Sequence, residues 1–385
     1  MKFEPSWNYC EIDQRALEEG IVTAWISRAA EDTCWDGFLS KSPLGQFQQS
    51  TIWAQAKKVE GWKPLRVVFT VEDVIVGGFQ ILERSSWWGK IGYVSKGPVI
   101  LPDRPALSFY ATEILRKLAR KEKLWTLIVQ PPDLCAQMSA KLAAAGFLLN
   151  VLIGVNEATW ITDLRGGFEV VEREMSKETR KKARQAVNRG LSIREGGKQD
   201  LGTFFNLMLS TCRRQGVSPN PPDVGRFLAL WDAAQFTAST RLFFAEYEGI
   251  PITGQFCIVF GGTVTFWKKG WNLTEDKRNP NDFLVYEVLK WASSSGYQSA
   301  DFCAFDTDMA VAILKKDPLT EEQKNTRYMF LVRCSGKPHL LPEARVYFPN
   351  LIIRFAYSMI FYKKIRTAKR NRKLIDQTVG LTQNV

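Results

Sequence analysis

Histidine is almost missing from this chain: His339 is the single one in 385 residues. That excludes histidine-rich metal sites and a HExxH helix together. Any catalysis must use carboxylates, lysine, tyrosine, backbone dipoles or the substrates themselves, and no metal or cofactor is expected. Paired cysteines are missing too. Cys10, Cys34, Cys135, Cys212, Cys257, Cys303 and Cys334 lie far apart, with no CxxC and an odd total, so neither a zinc site nor a disulfide framework is indicated. A reducing cytoplasm fits that usage. The N-terminus "MKFEPSWNYCEIDQRALEEG" has no apolar signal core, and no run reaches the roughly eighteen apolar residues of a spanning helix. The chain is therefore read as soluble. Negative charge is in deficit: 40 acidic side chains face 52 lysines and arginines, a net charge of +12. A field of that sign concentrates phosphates, whether of nucleic acid, nucleotide-linked substrates or an anionic membrane surface.

What is present is enough apolar material for two cores, since a chain of this length exceeds one ordinary domain. A weak internal repeat organises it. "RVVFTVEDVIVGGFQIL" from Arg66 and "RLFFAEYEGIPITGQFCIV" from Arg241 each read as a β-hairpin, turning at Glu72-Asp73 and Glu248-Gly249. A further strand follows each and ends in lysine-glycine, "KIGYVSKG" at Lys96 and "TVTFWKKG" at Lys269. Then come a helix and a strand: "RPALSFYATEILRKLARKEKL" with "LWTLIVQPP", and "NPNDFLVYEVLKWASSSGY" with "SADFCAF". Hairpin, strand, helix, strand, occurring twice, predicts a duplicated mixed α/β domain. The boundary falls near residue 155, without a Gly/Ser-rich linker. Two lobes joined so closely are expected to leave a ligand cleft between them. Beyond about residue 340 the chain reads as an apolar helix running into basic residues.

The most charged segment is "EMSKETRKKARQAVNRG", residues 174–190. Ser176 is a good N-cap, Glu178 suits the first turn, and Gly190 supplies the stop. Met175, Ala183, Ala186 and Val187 can share an inner face. The other side is basic, and Arg180 and Arg184, four apart, can approach one phosphate or two neighbouring ones.

In order, "FQQSTIWAQAKKVEGW" (47–62), "YVSKGPV" (93–99), "ATWITDL" (158–164) and "MSKETRKKARQAVNRGLSI" (175–193) resemble the FemABX family of non-ribosomal peptidyltransferases. The resemblance covers about residues 35–340. It implies tandem acetyltransferase-like (GNAT) domains: the first at 1–155, completed by 326–385, and the second at 156–325, without a coiled-coil arm. It also implies aminoacyl transfer from aminoacyl-tRNA to an amine of a peptidoglycan-precursor stem peptide. By that resemblance Lys57 and Arg180 grip the precursor's diphosphate, with Tyr93, Lys96 and Arg184 lining the same groove. Asp103 accepts a proton, with Asp301 and Asp306 in reserve. Lys181, Lys182, Lys268 and Lys269, with the basic tail, meet the tRNA backbone; the tail's other use is contact with an anionic inner leaflet. Gln49 and Trp53 read as core or capping residues. One departure stands out: the family's late phenylalanine-lysine pair is broken, since Leu331 follows Phe330, and Arg333 is left to supply positive charge there. A monomer is expected. Other readings stay open: an acyl-CoA-dependent N-acyltransferase, for which "RRQGVS" is the closest phosphate-turn string; a tRNA-dependent amide ligase acting on a small peptide; and a silent tRNA- or membrane-binding protein.

Overall fold

The computed structural model describes Phe3 and residues 8–367, apart from 19, 88, 152 and 366. The chain divides into two compact units, residues 1–157 with 341–385, and residues 158–340. The basic tail beyond residue 367 lies outside the described residues.

The first unit runs β1 (Tyr9–Leu17), β2 (Gly20–Ser27), α1 (Thr33–Lys41), α2 (Thr51–Lys57), β3 (Lys63–Val71), β4 (Val74–Ser86), β5 (Gly89–Ser95), β6 (Val99–Ile100), α3 (Pro105–Lys121), β7 (Leu124–Gln130), α4 (Ala136–Ala144) and β8 (Leu148–Leu149). The second runs β9 (Ala158–Asp163), α5 (Phe168–Glu174), α6 (Lys177–Asn188), β10 (Leu191–Gly196), α7 (Leu201–Gln215), α8 (Val224–Ala233), β11 (Thr240–Tyr247), β12 (Ile250–Phe260), β13 (Thr263–Trp271), α9 (Pro280–Ser294), β14 (Ser299–Asp301), α10 (Thr307–Lys315), α11 (Glu321–Lys324), α12 (Met329–Arg333) and β15 (Lys337–Leu340). β16 (Arg345–Tyr347) and α13 (Leu351–Ile360) then return to the first unit. Residues 326–340, expected with that return, belong instead to the second unit, because β15 pairs antiparallel with β9 from Lys337 against Ile161 to Leu340 against Ala158.

Each unit is built on one mixed sheet. The first has the order β1-β2-β3-β4-β5-β7-β16-β8 with β6 beside β4, and the second β10-β11-β12-β13-β14-β9-β15. In both, an antiparallel meander leads to a strand whose next neighbour is parallel and reached through a helix: β5–α3–β7 and β13–α9–β14. A parallel pair needs such a crossover, and its helix covers the sheet's apolar face. Leu107, Ile114, Leu115 and Leu118 of α3 and Phe283, Leu284, Val288 and Leu289 of α9 do this in the two cores.

The duplication extends to fine detail. Glu72 and Asp73 turn at φ +47° and +61°, Glu248 and Gly249 at +51° and +75°, the left-handed pair that a tight hairpin requires. Val71 pairs with Val74 and Tyr247 with Ile250. Both hairpins then carry a one-residue bulge at the same place, leaving Val76 and Ile252 unopposed. Gly78 and Gly254 sit at matching positions just beyond, where a Cβ would meet Val67 O at 2.3 Å and Phe204 and Phe244 at 3.0 Å. In this register Arg241 corresponds to Leu65, so the repeated arginine of the sequence comparison is coincidence: Arg66 is buried, with its Nη1 on Asp32 at 3.1 Å and its Nη2 on Gln80 at 2.9 Å. The two lysine-glycine pairs also differ, since Lys96 follows β5 whereas Lys269 lies inside β13.

Candidate functional site

In the first unit, Ser50 caps α2 by accepting the Trp53 N–H. The helix ends at Lys57, whose ammonium pairs with Glu60 at 2.7 Å and lies 4.7 Å from the Trp53 ring centroid. Gln49 is wholly buried: its amide donates to the carbonyls of Ser95 (2.6 Å) and Gln80 (3.3 Å), while its Oε1 accepts the Gln80 N–H. It clasps β4 to β5 and is a core residue. Tyr93, on β5, donates to Gln130 Oε1 at 2.9 Å, and burial raises its phenol. Lys96 has φ +58° and is buried against Asp133, with which it forms an ion pair. Asp103 is exposed in the turn before α3. Lys57 and Lys96 thus each carry a carboxylate partner.

The second unit gathers more charge. Ser176 caps α6 by accepting the Thr179 N–H at 3.1 Å, and its own N–H is fixed by the Arg333 carbonyl at 2.9 Å. Thr179, Ala183 and Ala186 face inward, while Val187, expected with them, is exposed. Arg180 is half-buried and its Nε–H has no hydrogen-bond acceptor among the described residues. Beside it, Glu172 accepts from Arg184 Nη2 and from Tyr286 OH, both at 2.8 Å, and those bonds hold its carboxyl below the usual range. Tyr286 is pushed up to about 12 by burial and by that carboxylate. One turn away, Lys182 reaches Glu178 at 2.8 Å, with Arg333 3.9 Å from the same carboxylate, and these cations lower Glu178. Lys181 is exposed.

Lys268 and Lys269 part company. Neighbours in a strand point to opposite faces, so the sequence pattern already forbade both from lining one tRNA surface. Lys268 lies over Trp267 at 5.4 Å. Lys269 is turned onto the Phe330 ring, 5.0 Å from its centroid, and burial pushes its ammonium down to about 8 despite the attraction of Asp282. Asp282, at the start of α9, is raised by burial, with Lys182 and Lys269 opposing. Cys334 beside them is pushed up to about 12 by burial. The lysine absent after Phe330 in the chain is therefore met in space by one from β13.

The two reserve carboxylates have structural partners. Asp301 accepts from Thr159 Oγ1 and, at 2.8 Å, from the Cys303 N–H, fastening β14 beside β9. Asp306 caps α10 through the Met309 N–H at 2.8 Å. Asp306→Ala is expected to cost about 1 kcal/mol, the usual worth of an N-cap, in chemical denaturation while leaving any catalytic rate unchanged. The "RRQGVS" string ends α7, with Gly216 at φ +65° as its C-cap. A phosphate cradle needs the N–H end of a helix, so this string cannot supply one.

Comparison with known proteins agrees with this architecture. Residues 31–146 match the FemAB family and residues 173–309 an acetyltransferase (GNAT) domain. A lipid II:glycine glycyltransferase of Staphylococcus saprophyticus is 26% identical over 236 residues, 57% of this chain and 56% of that protein. One of Staphylococcus aureus is 25% identical over 229 residues, 55% and 53% of the two chains. The chain spans about half the length of these relatives. The crystal structure of FemX shares the fold with a TM-score of 0.70 at 18% identity, covering 82% of this chain and 95% of its own. The first unit is thus similar to the FemAB family over residues 31–146, the second to an acetyltransferase (GNAT) domain over residues 173–309, and the chain shares the fold of FemX.

Proposed function

We propose that the protein is an aminoacyltransferase that forms an amide between an amino acid carried on tRNA and an amine of a peptidoglycan-precursor stem peptide, with a lipid-linked precursor as acceptor. The glycyltransferase relatives are named for lipid II, which supports a lipid-linked acceptor here. The observation that carries the reading is the half-buried Arg180 on the basic face of α6, whose Nε–H finds no acceptor among the described residues. A guanidinium held this way is matched by a diphosphate, whose oxygens accept in the fork geometry that arginine offers. Arg184 joins it by releasing Glu172. Lys181, Lys182 and Lys268 meet tRNA phosphates, so donor binding falls steeply with salt.

The chemistry is ester aminolysis. The acceptor nitrogen attacks the aminoacyl carbonyl, the C–N bond forms, the bond to the ribose oxygen breaks, and one proton passes from nitrogen to the leaving oxygen. Positioning supplies much of the rate, about 7–11 kcal/mol in favourable cases. Two groups compete for the proton. Asp103 stands exposed in a turn, while Lys269 is an amine whose desolvation brings it near neutrality; a base works best with its pKa near the working pH. We assign the proton to Lys269, with Arg333 as nearby positive charge for the developing oxyanion. The protein works as a monomer at the inner face of the membrane.

The test supplies charged tRNA labelled in its amino acid, together with lipid-linked precursor, and in parallel acetyl-CoA with the same acceptor. Label transferred to the precursor supports the reading; acetyl-CoA consumption without label transfer would falsify it.

A further inference from the structure

α13 carries two apolar faces. The inner one is pinned: Tyr357 donates its hydroxyl to Leu149 O at 2.7 Å and accepts the Val151 N–H at 3.0 Å, and its ring meets Phe348 at 4.9 Å and Phe361 at 5.1 Å. Ile353 and Phe361 pack with it against Ile128, Val346 and Phe348. A helix held by two hydrogen bonds and a ring cluster cannot roll to bury its other side. That side presents Leu351, Ile352, Phe355 and Met359, between 63% and 78% exposed. At 100° per residue these four fall within roughly 100° of arc, one continuous stripe. Elsewhere in the chain large exposed apolar side chains such as Trp87 and Phe236 stand apart from one another in sequence.

Charge says what the stripe meets. No acidic residue occurs between Glu343 and Asp376, while Lys363, Lys364, Arg366, Lys369, Arg370, Arg372 and Lys373 follow directly on the helix. A second copy docked through the same stripe would bring two such clusters together, and like charge opposes that pairing. An RNA backbone would welcome the cations and gain nothing from Phe355 or Met359. An apolar stripe continued by basic residues is the pattern of a helix lying in a lipid interface. Among the described residues no helix is long and apolar enough to span the bilayer, so the contact is lateral.

We propose that the outer face of α13, with Lys363 and Lys364 just beyond it, docks the first unit onto an anionic phospholipid surface, the helix lying in the headgroup plane. The inference extends the membrane-side placement proposed above and rests on it only for its use: a lipid-linked acceptor is then met at the surface where it resides. Tyr93 packs on the Ile128 and Tyr357 cluster that carries α13, so one of the candidate acceptor-lining residues shares the helix's support.

The test is flotation of the full chain with phosphatidylcholine vesicles, alone and with about one-third phosphatidylglycerol. Binding is expected to the anionic vesicles and to fall about ten-fold or more in Phe355→Glu/Met359→Glu. Lys363→Gln/Lys364→Gln should weaken it about five-fold per cation removed. Both glutamate positions are exposed, so an unchanged melting temperature identifies a folded variant. Unaltered flotation of the glutamate variant overturns the proposal, since the basic tail alone would then bind. Absence of flotation overturns it too, as does a dimer in solution that this variant converts to monomer. Label transfer to a water-soluble, nucleotide-linked acceptor should be untouched by the variant; absence of label transfer from charged tRNA to the lipid-linked precursor by the unmodified protein counts against the transferase reading and leaves the docking result standing.

Discussion

Arg180→Ala should weaken binding of a diphosphate-bearing precursor by about 10–100-fold, the worth of about 1.5–3 kcal/mol of charge-assisted hydrogen bonding. The structure makes this a clean experiment. Because the Arg180 Nε–H has no acceptor among the described residues, its removal strands none of their acceptors, and the cap at Ser176 and the inner face of Thr179, Ala183 and Ala186 stay in place. Glu172 keeps Arg184 and Tyr286 as donors. Thermal stability should therefore change little while affinity, read by titration calorimetry with soluble nucleotide-linked precursor, drops. Arg180→Lys should recover only part of it, because an ammonium cannot offer two parallel donors to neighbouring oxygens. Equal affinity in the wild type and the alanine variant removes Arg180 from the site.

Lys269→Met should separate stability from activity. The ammonium is destabilised by its surroundings, which pull it from 10.5 to about 8. The unfolded chain then binds more protons than the native one between those pH values, and native stability rises with pH across that window. Below pH 8 the penalty is present in full. Replacing the amine with a thioether of similar length removes it, and the fall from 10.5 to about 8 caps the gain near 3 kcal/mol at about 1.4 kcal/mol per pH unit. Partial exposure reduces this to about 1–2 kcal/mol at pH 7, and the advantage should shrink as pH rises through 8 toward 10.5. Transfer should fall about 100-fold, the lower range for a positioned base, and the wild-type limb that climbs with pH near 8 should vanish. A merely structural lysine would leave that limb intact. Asp103→Asn, by contrast, should stay within a few-fold of wild type; a larger loss there returns the proton to Asp103.

Much of the fold was legible because its signals are local. The hairpin turns at Glu72-Asp73 and Glu248-Gly249, the cap at Ser176 and the stop at Gly190 stand where short-range preferences place them. The order hairpin, strand, helix, strand survives in both sheets. Where the reading slipped, a neighbour distant in sequence decided. Residues 326–340 look like a continuation toward the C-terminal helix, yet β15 finds its hydrogen bonds on β9, about 180 residues earlier. Arg66 and Arg241 look alike in the chain, yet counted back from the two turns Arg241 falls at the place of Leu65, one residue away from that of the buried Arg66.

The candidate site was legible only as residue types. Sequence alone determined the excess of positive charge, the want of histidine, a doubled α/β plan and a basic capped helix, all of which follow from composition and from periods of two or 3.6 residues. It could not assign partners. Glu60 takes Lys57, Asp133 takes Lys96 and Glu172 takes Arg184, whereas Arg180 keeps a donor in reserve. Phe330 receives its lysine from β13 and not from the next residue along. The division has one physical reason. Propensity and charge are properties of short segments, but desolvation and ion pairing depend on which segments the closed sheet brings within a few ångströms, and those distances exist only after folding.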